Sequence, residues 1–128
     1  KKKLIFIAAG TGVGPFKSMI ELLLNKKTKN KILLLKSTRS EEQILYDKEF
    51  KTLQKKHKNF EFYNILSKPK NPAFENKGYL QDFLKKYIPK NFDGEIYICG
   101  LKAMIFAVEK KLEELRIKEN QIFYEKYD

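Results

Sequence analysis

The amino-acid sequence predicts an α/β protein with a doubly wound, five-stranded parallel sheet that carries helices on both faces. Short apolar segments alternate along the chain with longer segments in which apolar residues recur at helical spacing. Strands separated by helices in this way are joined by right-handed crossovers, which make neighbouring strands parallel. The first such unit, residues 4–24, joins its strand to its helix through the glycine-rich turn 10–15.

The remaining elements follow in order along a single domain that uses residues 1–128. Strands are expected at residues 4–7, 31–38, 60–66, 95–100 and 121–125. Helices are expected at residues 16–24, 41–58, 79–87 and 104–115, the second with Ser40 as its N-cap. Residues 67–77 form the longest irregular segment, and loops of this length in a compact domain usually carry function.

Composition narrows the function classes. The net charge of +11 comes from lysines that are spread over helical faces and turns without interleaved aromatic residues, so a nucleic-acid-binding domain is the least favoured hypothesis. A single cysteine excludes an internal disulfide and favours a cytoplasmic location. No apolar segment is long enough to span a bilayer, and one histidine with one distant cysteine gives no metal site.

The turn at residues 10–15 has the chemistry of a phosphate site. Its three glycines let backbone amides approach a ligand, and Pro15 suits the first helical turn. Free amides and the positive end of the helix dipole then favour a nucleotide pyrophosphate. The turn is neither a P-loop nor a complete GxGxxG fingerprint, since Pro15 stands at the last glycine position. Basic and hydroxyl residues at 36–39 replace the expected ribose-binding acid and could contact a ribose phosphate.

Six motifs occur here in the order and spacing of one known family. They are GTGVGPF, STRSEEQILY, the Ser67–Lys68–Pro69 turn, KGYLQDFL, YICGLKAM and the terminal YEKY. Together they span essentially the whole chain, and their combination resembles the pyridine-nucleotide-binding domain of the ferredoxin-NADP reductase family.

The resemblance implies roles for individual residues. The pyrophosphate turn would comprise Gly10, Thr11, Gly12, Val13, Gly14 and Pro15. Cys99 and Gly100 match the pair beside the hydride-donating nicotinamide carbon, Met104 matches the family's methionine, and Leu101 replaces its proline. Glu125 and Tyr127 match the near-terminal acid and aromatic residue, and with Cys99 they form the predicted catalytic set. Taken alone, Cys99 and Met104 also fit core packing, and Glu125 fits an ordinary surface acid.

Cofactor choice depends on the middle of the chain. The adenosine end is expected near Thr38, Arg39, Ser67 and Lys68. Ser67 and Lys68, together with Lys77 and Tyr79, also resemble a 2'-phosphate site and narrowly favour NADPH over NADH. A lysine can replace the family's arginine there as a point charge but not as a bidentate fork.

The resemblance therefore implies the NAD(P)H-binding module of a flavin-dependent reductase. It would position NAD(P)H for hydride transfer to FAD or FMN, held by a flavin-binding domain in the same full-length chain or in a partner subunit. The isolated module is expected to be inactive. The sequence does not identify the electron acceptor beyond the flavin, which could be ferredoxin, a haem, an oxygenase or a quinone. The alternative is a dinucleotide-sensing or interaction module without turnover.

Overall fold

The structure, a computed structural model, describes residues 2–126. Within that range, strands and α-helices alternate along the chain. The strands are β1 (Leu4–Ala9), β2 (Ile32–Thr38), β3 (Phe60–Leu66), β4 (Glu95–Gly100) and β5 (Ile122–Lys126). The helices are α1 (Val13–Asn25), α2 (Asp47–Lys56), α3 (Leu80–Tyr87) and α4 (Lys102–Glu114). Tyr127, a predicted site residue, lies outside the described residues.

The strands form one parallel sheet in the order β3-β2-β1-β4-β5, which confirms the predicted fold class. β1 lies in the centre because its residues are apolar on both faces, and the side chains from Leu4 to Ala8 are all buried. The chain adds β2 and β3 on one side of β1 and then returns to add β4 and β5 on the other. The strand order therefore reverses between β1 and β4.

The helices cover both faces of the sheet. α1 and α2 pack on one face, where Phe16, Ile20 and Phe50 join a core with aromatic residues of β1 and β3. α3 and α4 pack on the other face, where Leu84 and Val108 join an aliphatic core. Each helix buries one apolar stripe against the sheet, as its spacing predicted. None of the helices within residues 2–126 combines the length and the apolar character that crossing a bilayer requires.

One predicted helix begins in the wrong place. The sequence predicts a helix from Glu41 with Ser40 as its cap, but α2 begins at Asp47. Residues Glu41–Gln43 form a single 3-10 turn, and the chain then becomes extended at Ile44. Tyr46 adopts a left-handed conformation with φ of 60°, which interrupts any continuous helix. β3 and β4, by contrast, have the predicted bounds.

Candidate functional site

The candidate site lies at the carboxyl ends of β1 and β4, where the strand order reverses. In open α/β sheets this position forms a crevice, because the connections from the two strands leave on opposite faces. The turn after β1 contains Gly10–Gly12 in a 3-10 turn and continues directly into α1. The fold therefore places the predicted pyrophosphate turn in this crevice.

Two of the three glycines in this turn are explained by the fold, each for a different reason. Gly10 has a φ of +56°, a conformation that favours glycine. Gly12 lies against the end of β4, where an added Cβ would stand 2.6 Å from the carbonyl oxygen of Cys99. At Gly14 an added Cβ would meet nothing within 4 Å among the described residues. The fold thus explains the first two glycines, while the third borders open space.

At the start of α1 the Val13 amide donates to the Thr11 carbonyl oxygen, and Pro15 carries no amide hydrogen. A ligand can therefore use only the Gly14 amide among the first three residues of this helix. No described side chain caps this helix end. Pro15 is the third residue of α1, so it lies in the first turn as predicted. Val13, which the resemblance places in the pyrophosphate turn, turns its side chain into the core and is 2% exposed.

A cavity of about 510 Å³ opens on one side of the turn, between the ends of β1 and β2. Its lining residues are Gly10, Thr11, Thr38, Arg39, Gln43 and Leu45. The Thr38 hydroxyl donates a hydrogen bond to the Ser40 carbonyl oxygen at 3.4 Å. The Arg39 guanidinium is exposed and has no ion pair within the described part of the chain. This cavity brings together two of the four residues predicted for the adenosine end, Thr38 and Arg39, while Ser67 and Lys68 do not line it.

A smaller cavity of about 180 Å³ lies on the other side, between α1 and the ends of β4 and β5. Its lining residues are Pro15, Phe16, Met19, Tyr97, Ile98, Cys99, Phe123, Tyr124 and Glu125. Cys99 is buried, and it lies opposite Glu125 in the β4–β5 register. The structure thus places two of the three predicted catalytic residues beside one cavity.

Stacked aromatic rings form the wall of this smaller cavity. The ring centroids of Phe6 and Tyr97 lie 5.0 Å apart, and those of Tyr97 and Phe123 lie 5.2 Å apart. Burial, and the hydrogen bond that the Tyr97 hydroxyl donates to Glu95, raise the pKa of Tyr97 to about 12. Tyr97 is therefore neutral at physiological pH. The stacked aromatic rings give this side of the smaller cavity a flat surface that suits a planar ring of a ligand.

The four residues predicted to bind a 2'-phosphate gather around the end of β3. Ser67 and Lys68 follow Leu66 directly, and Leu66 also pairs with Lys77 in a short parallel bridge. The Gly78 amide donates to the Leu66 carbonyl oxygen at 2.8 Å, which brings Tyr79 alongside. The Tyr79 side chain is 58% exposed. None of the four lines either cavity beside the turn, so their role remains a prediction.

The residues after β4 occupy different environments. An added Cβ at Gly100 would stand 2.5 Å from the terminal methyl of Met104, a flexible side-chain end that can move aside. Met104 packs against the aliphatic core on the opposite face of the sheet from α1. Leu101, where the family has proline, is 57% exposed and precedes α4. Met104 and Leu101 line neither cavity, so their contact with a cofactor also remains a prediction.

Lys36 does not contact a ribose phosphate in the way the sequence suggested. Its side chain is 3% exposed and lies beneath the turn between β2 and α2. The ammonium donates to the Leu45 carbonyl oxygen at 2.7 Å and lies 4.9 Å from the centre of the Phe50 ring. Burial lowers its pKa to about 8, although the negative charges of Asp47 and Glu49 oppose the shift.

Sequence reasoning missed two residues that line the larger cavity, Gln43 and Leu45. It also gave Lys36 a different role from the one observed, which is to support Leu45 from below. A lysine at the end of the apolar run Ile32–Leu35 was the one available signal for a buried charge. Within residues 2–126, no group of three acidic, histidine or cysteine side chains is placed to hold a metal ion.

Comparisons with known proteins agree with this geometry. Residues 6–110 match the family model described as the oxidoreductase NAD-binding domain. The chain is 32% identical over 134 residues to one component of the Na(+)-translocating NADH-quinone reductase of Serratia proteamaculans, covering 98% of this chain and 32% of the relative. It is 28% identical to the electron transfer component of an anthranilate 1,2-dioxygenase from Acinetobacter baylyi, covering 99% of this chain and 37% of the relative. The chain thus spans about a third of the length of these relatives.

Solved structures have the same fold. Ferredoxin-NADP+ reductase from Plasmodium falciparum superposes with a TM-score of 0.77 at 26% identity, over 98% of this chain and 52% of that one. The b5R-containing structure of human Ncb5or gives a TM-score of 0.87 at 22% identity, over 96% of this chain and 36% of that one. From its fold, its glycine turn and the match over residues 6–110, the chain belongs to the family of oxidoreductase NAD-binding domains.

Proposed function

We propose that this chain binds NADH or NADPH and presents it for hydride transfer to a flavin that is bound outside residues 1–128. The observation that carries the proposal is the position of the glycine turn between two cavities. Thr38 and Arg39 lie at the larger cavity, and Cys99 lies at the smaller one. A dinucleotide has a matching shape, with a pyrophosphate between two ring systems.

Each part of the nucleotide then has a defined position. The pyrophosphate lies at the start of α1, where it accepts a hydrogen bond from the Gly14 amide and the helix dipole favours its negative charge. The adenosine end extends towards Thr38 and Arg39, and the guanidinium of Arg39 is suited to pair with a phosphate. The nicotinamide extends past Thr11 towards Cys99 and the aromatic wall formed by Tyr97 and Phe123.

The residues of this chain bind and orient the cofactor. The nucleotide supplies a hydride, with its electron pair, to an oxidised flavin when both are bound. Cys99, which is buried, packs against the nicotinamide and holds the reacting carbon at the cavity mouth. Glu125, exposed on β5 opposite Cys99, supplies negative charge beside the nicotinamide, which becomes positively charged as the hydride leaves. We propose that Tyr127 acts beside the nicotinamide together with Cys99 and Glu125.

The flavin, FAD or FMN, is proposed to lie in a flavin-binding domain of the same full-length chain or in a partner subunit. This is supported by the share of the relatives' length that the chain covers, 32% for the quinone reductase component and 37% for the dioxygenase component. We propose that residues 1–128 form one cytoplasmic NAD(P)-binding unit. The acceptor beyond the flavin differs between these two relatives, as their names indicate, and we assign none here.

We propose that the chain prefers NADPH to NADH by a small margin. The support is the grouping of Ser67, Lys68, Lys77 and Tyr79 around Leu66. Two lysines and a hydroxyl near one another suit a phosphate monoester. Rates of flavin reduction by NADH and by NADPH should be compared in the full-length gene product. Equal rates with both nucleotides would contradict the preference.

A glycine-to-alanine exchange tests the proposed function. Gly14→Ala adds a methyl group where the fold has open space, and alanine favours a helix by about 1 kcal/mol over glycine. The variant should therefore unfold at a higher temperature but bind nucleotide at least several-fold more weakly, because the methyl occupies the pyrophosphate position. Nucleotide affinity and stopped-flow flavin reduction in the full-length gene product measure this.

Ser18→Ala is the matched control, since Ser18 is exposed on the same helix and lines neither cavity. It should change neither affinity nor rate. If Gly14→Ala binds nucleotide as the unaltered protein does, the pyrophosphate does not lie on this turn. Nucleotide binding without flavin reduction would instead support a sensing module.

A further inference from the structure

Glu41 joins two loops that follow neighbouring strands. It begins the single 3-10 turn after β2, and its carboxylate reaches the loop after β3. Oε1 accepts a hydrogen bond from the Lys70 backbone amide at 2.8 Å, and Oε2 accepts one from the Asn71 amide at 2.9 Å. One carboxylate thus binds two successive amides of a segment about thirty residues away in sequence.

These two bonds extend the pairing of β2 with β3 beyond the ends of the strands. The Ser67 amide donates to the Thr38 carbonyl oxygen at 3.2 Å, and the Lys68 amide donates to the Arg39 carbonyl oxygen at 2.7 Å. Glu41 adds two contacts at the far end of this series. The loop after β3 is therefore attached to the loop after β2 at four successive points.

Arg39 is held by this arrangement on both sides of its backbone. Its amide donates to the side-chain oxygen of Gln43 at 3.1 Å, and its carbonyl oxygen accepts from Lys68. Arg39 and Gln43 both line the larger cavity. The loop after β3 contains two prolines and has no helix or strand of its own, so attachments of this kind order it. The position of Arg39 therefore depends on contacts that Glu41 completes.

Glu42, the acid next to Glu41 in the sequence, makes contacts of a different kind. Glu42 forms an ion pair with the Lys70 ammonium and accepts from the Ser40 hydroxyl, and both contacts involve only side chains. The amide bonds to Glu41 lower the pKa of its carboxyl group, which keeps it ionised at physiological pH. The two adjacent acids thus carry the same charge but differ in whether they bind the loop backbone.

We propose that Glu41 is a positioning residue for nucleotide binding: it ties the loop after β3 to the loop after β2 and thereby fixes Arg39 at the larger cavity. The inference rests on the proposed function, since it assigns the adenosine end of the nucleotide to that cavity. Glu41 itself lines neither cavity, so it acts through the loops and not through contact with the ligand.

Three variants of the full-length gene product test this proposal. Glu41→Gln removes the charge and one acceptor, Glu41→Asp keeps the charge but shortens the reach, and Glu42→Gln removes the same charge without touching the loop backbone. Affinity for ADP-ribose, hydrogen exchange at the Lys70 and Asn71 amides, and KM and kcat for flavin reduction are measured for each. ADP-ribose is the probe because it lacks the nicotinamide.

Both Glu41 variants should speed exchange at the two amides by roughly tenfold, as expected for lost hydrogen bonds to a charged group. Their dissociation constants for ADP-ribose and their KM values should rise several-fold, while kcat stays within about twofold because Cys99 and the nicotinamide end are unchanged. Glu42→Gln should leave all of these quantities unchanged.

Three outcomes would overturn the proposal. Unchanged ADP-ribose affinity in both Glu41 variants would refute the positioning role of Glu41. The proposed function would remain intact in that case as long as the unaltered protein reduces its flavin. An equal loss in Glu41→Gln and Glu42→Gln, with Glu41→Asp unaffected, would assign the effect to charge alone. If the unaltered protein binds no ADP-ribose, both the proposed function and this inference fail.

Discussion

The two turns that border the larger cavity are stabilised in different ways. The turn after β1 is determined by its own residues: Gly10 has a positive φ, and Gly12 lets the backbone lie against β4. The turn after β2 is held by side-chain hydrogen bonds: the Lys36 ammonium of β2 lies below it, and its own Glu41 binds backbone amides of the loop after β3. The first turn thus depends on glycines that its own sequence shows, and the second on side-chain contacts with other segments.

This difference explains which predictions from the sequence were accurate. The sheet, its order of elements and the turn at residues 10–15 follow from apolar periodicity and glycine spacing, which are local properties. The start of α2 was predicted wrongly because Ser40 and Glu41 resemble a helix N-terminus. The Glu41 carboxylate instead binds the amides of Lys70 and Asn71, and no local pattern indicates that contact.

The same distinction applies to the candidate site. Cys99 and Glu125 were placed together because carboxyl ends of parallel strands share one edge of the sheet, and the β4–β5 register confirms that they are neighbours. Gln43 and Leu45 were not predicted to line a cavity, because Leu45 is held by the buried ammonium of Lys36 and Gln43 by the Arg39 amide. Side chains that act through tertiary contacts could not be identified from spacing alone.

The largest expected effect concerns Lys36. Because burial lowers its pKa from 10.5 to about 8, the unfolded chain binds this proton more tightly than the folded chain between those pH values. The contribution of Lys36 to stability should therefore rise with pH across this interval, by at most roughly 3 kcal/mol. Lys36→Met should lack this rise, as urea unfolding of both proteins at pH 7 and pH 10.5 would measure.

Lys48→Met is the matched control for Lys36, since it removes an exposed lysine from α2. It should keep the pH dependence of the unaltered protein. The opposite result is an equal change, between the two pH values, in the free energy of unfolding of Lys36→Met and of the unaltered protein. That result would show that burial beneath the turn does not lower the pKa of the Lys36 ammonium. The turn after β2 would then not depend on a buried charge.

A smaller effect is expected at Gly12. Gly12→Ala places a methyl group 2.6 Å from the Cys99 carbonyl oxygen, and this contact involves backbone that cannot move aside cheaply. The free energy of unfolding should fall by about 2 kcal/mol, the usual scale for an added methyl group in a packed site. Gly14→Ala in the same turn should instead raise it, so chemical denaturation of the pair distinguishes the two glycines. Equal effects would show that the contact between the turn and β4 is not tight.

The smallest effect is expected at the Tyr97 hydroxyl. Tyr97→Phe keeps the stack with Phe6 and Phe123 but removes the hydrogen bond to Glu95 at 2.8 Å. Stability should fall by less than about 1 kcal/mol. Nucleotide affinity should be unchanged, because the ring forms the wall and the hydroxyl points to Glu95. An affinity loss of tenfold or more, measured by calorimetry, would assign the hydroxyl a direct role in binding.

The most direct test of the central claim compares NAD+ with ADP-ribose by amide chemical shifts in the full-length gene product. Both ligands should shift the amides of the turn at residues 10–15 and those of Thr38 and Arg39. Only NAD+ should shift the amides around Cys99 and Gly100, because only NAD+ carries the nicotinamide. Identical shifts near Cys99 with both ligands, or none at the glycine turn, would contradict a dinucleotide lying across this turn.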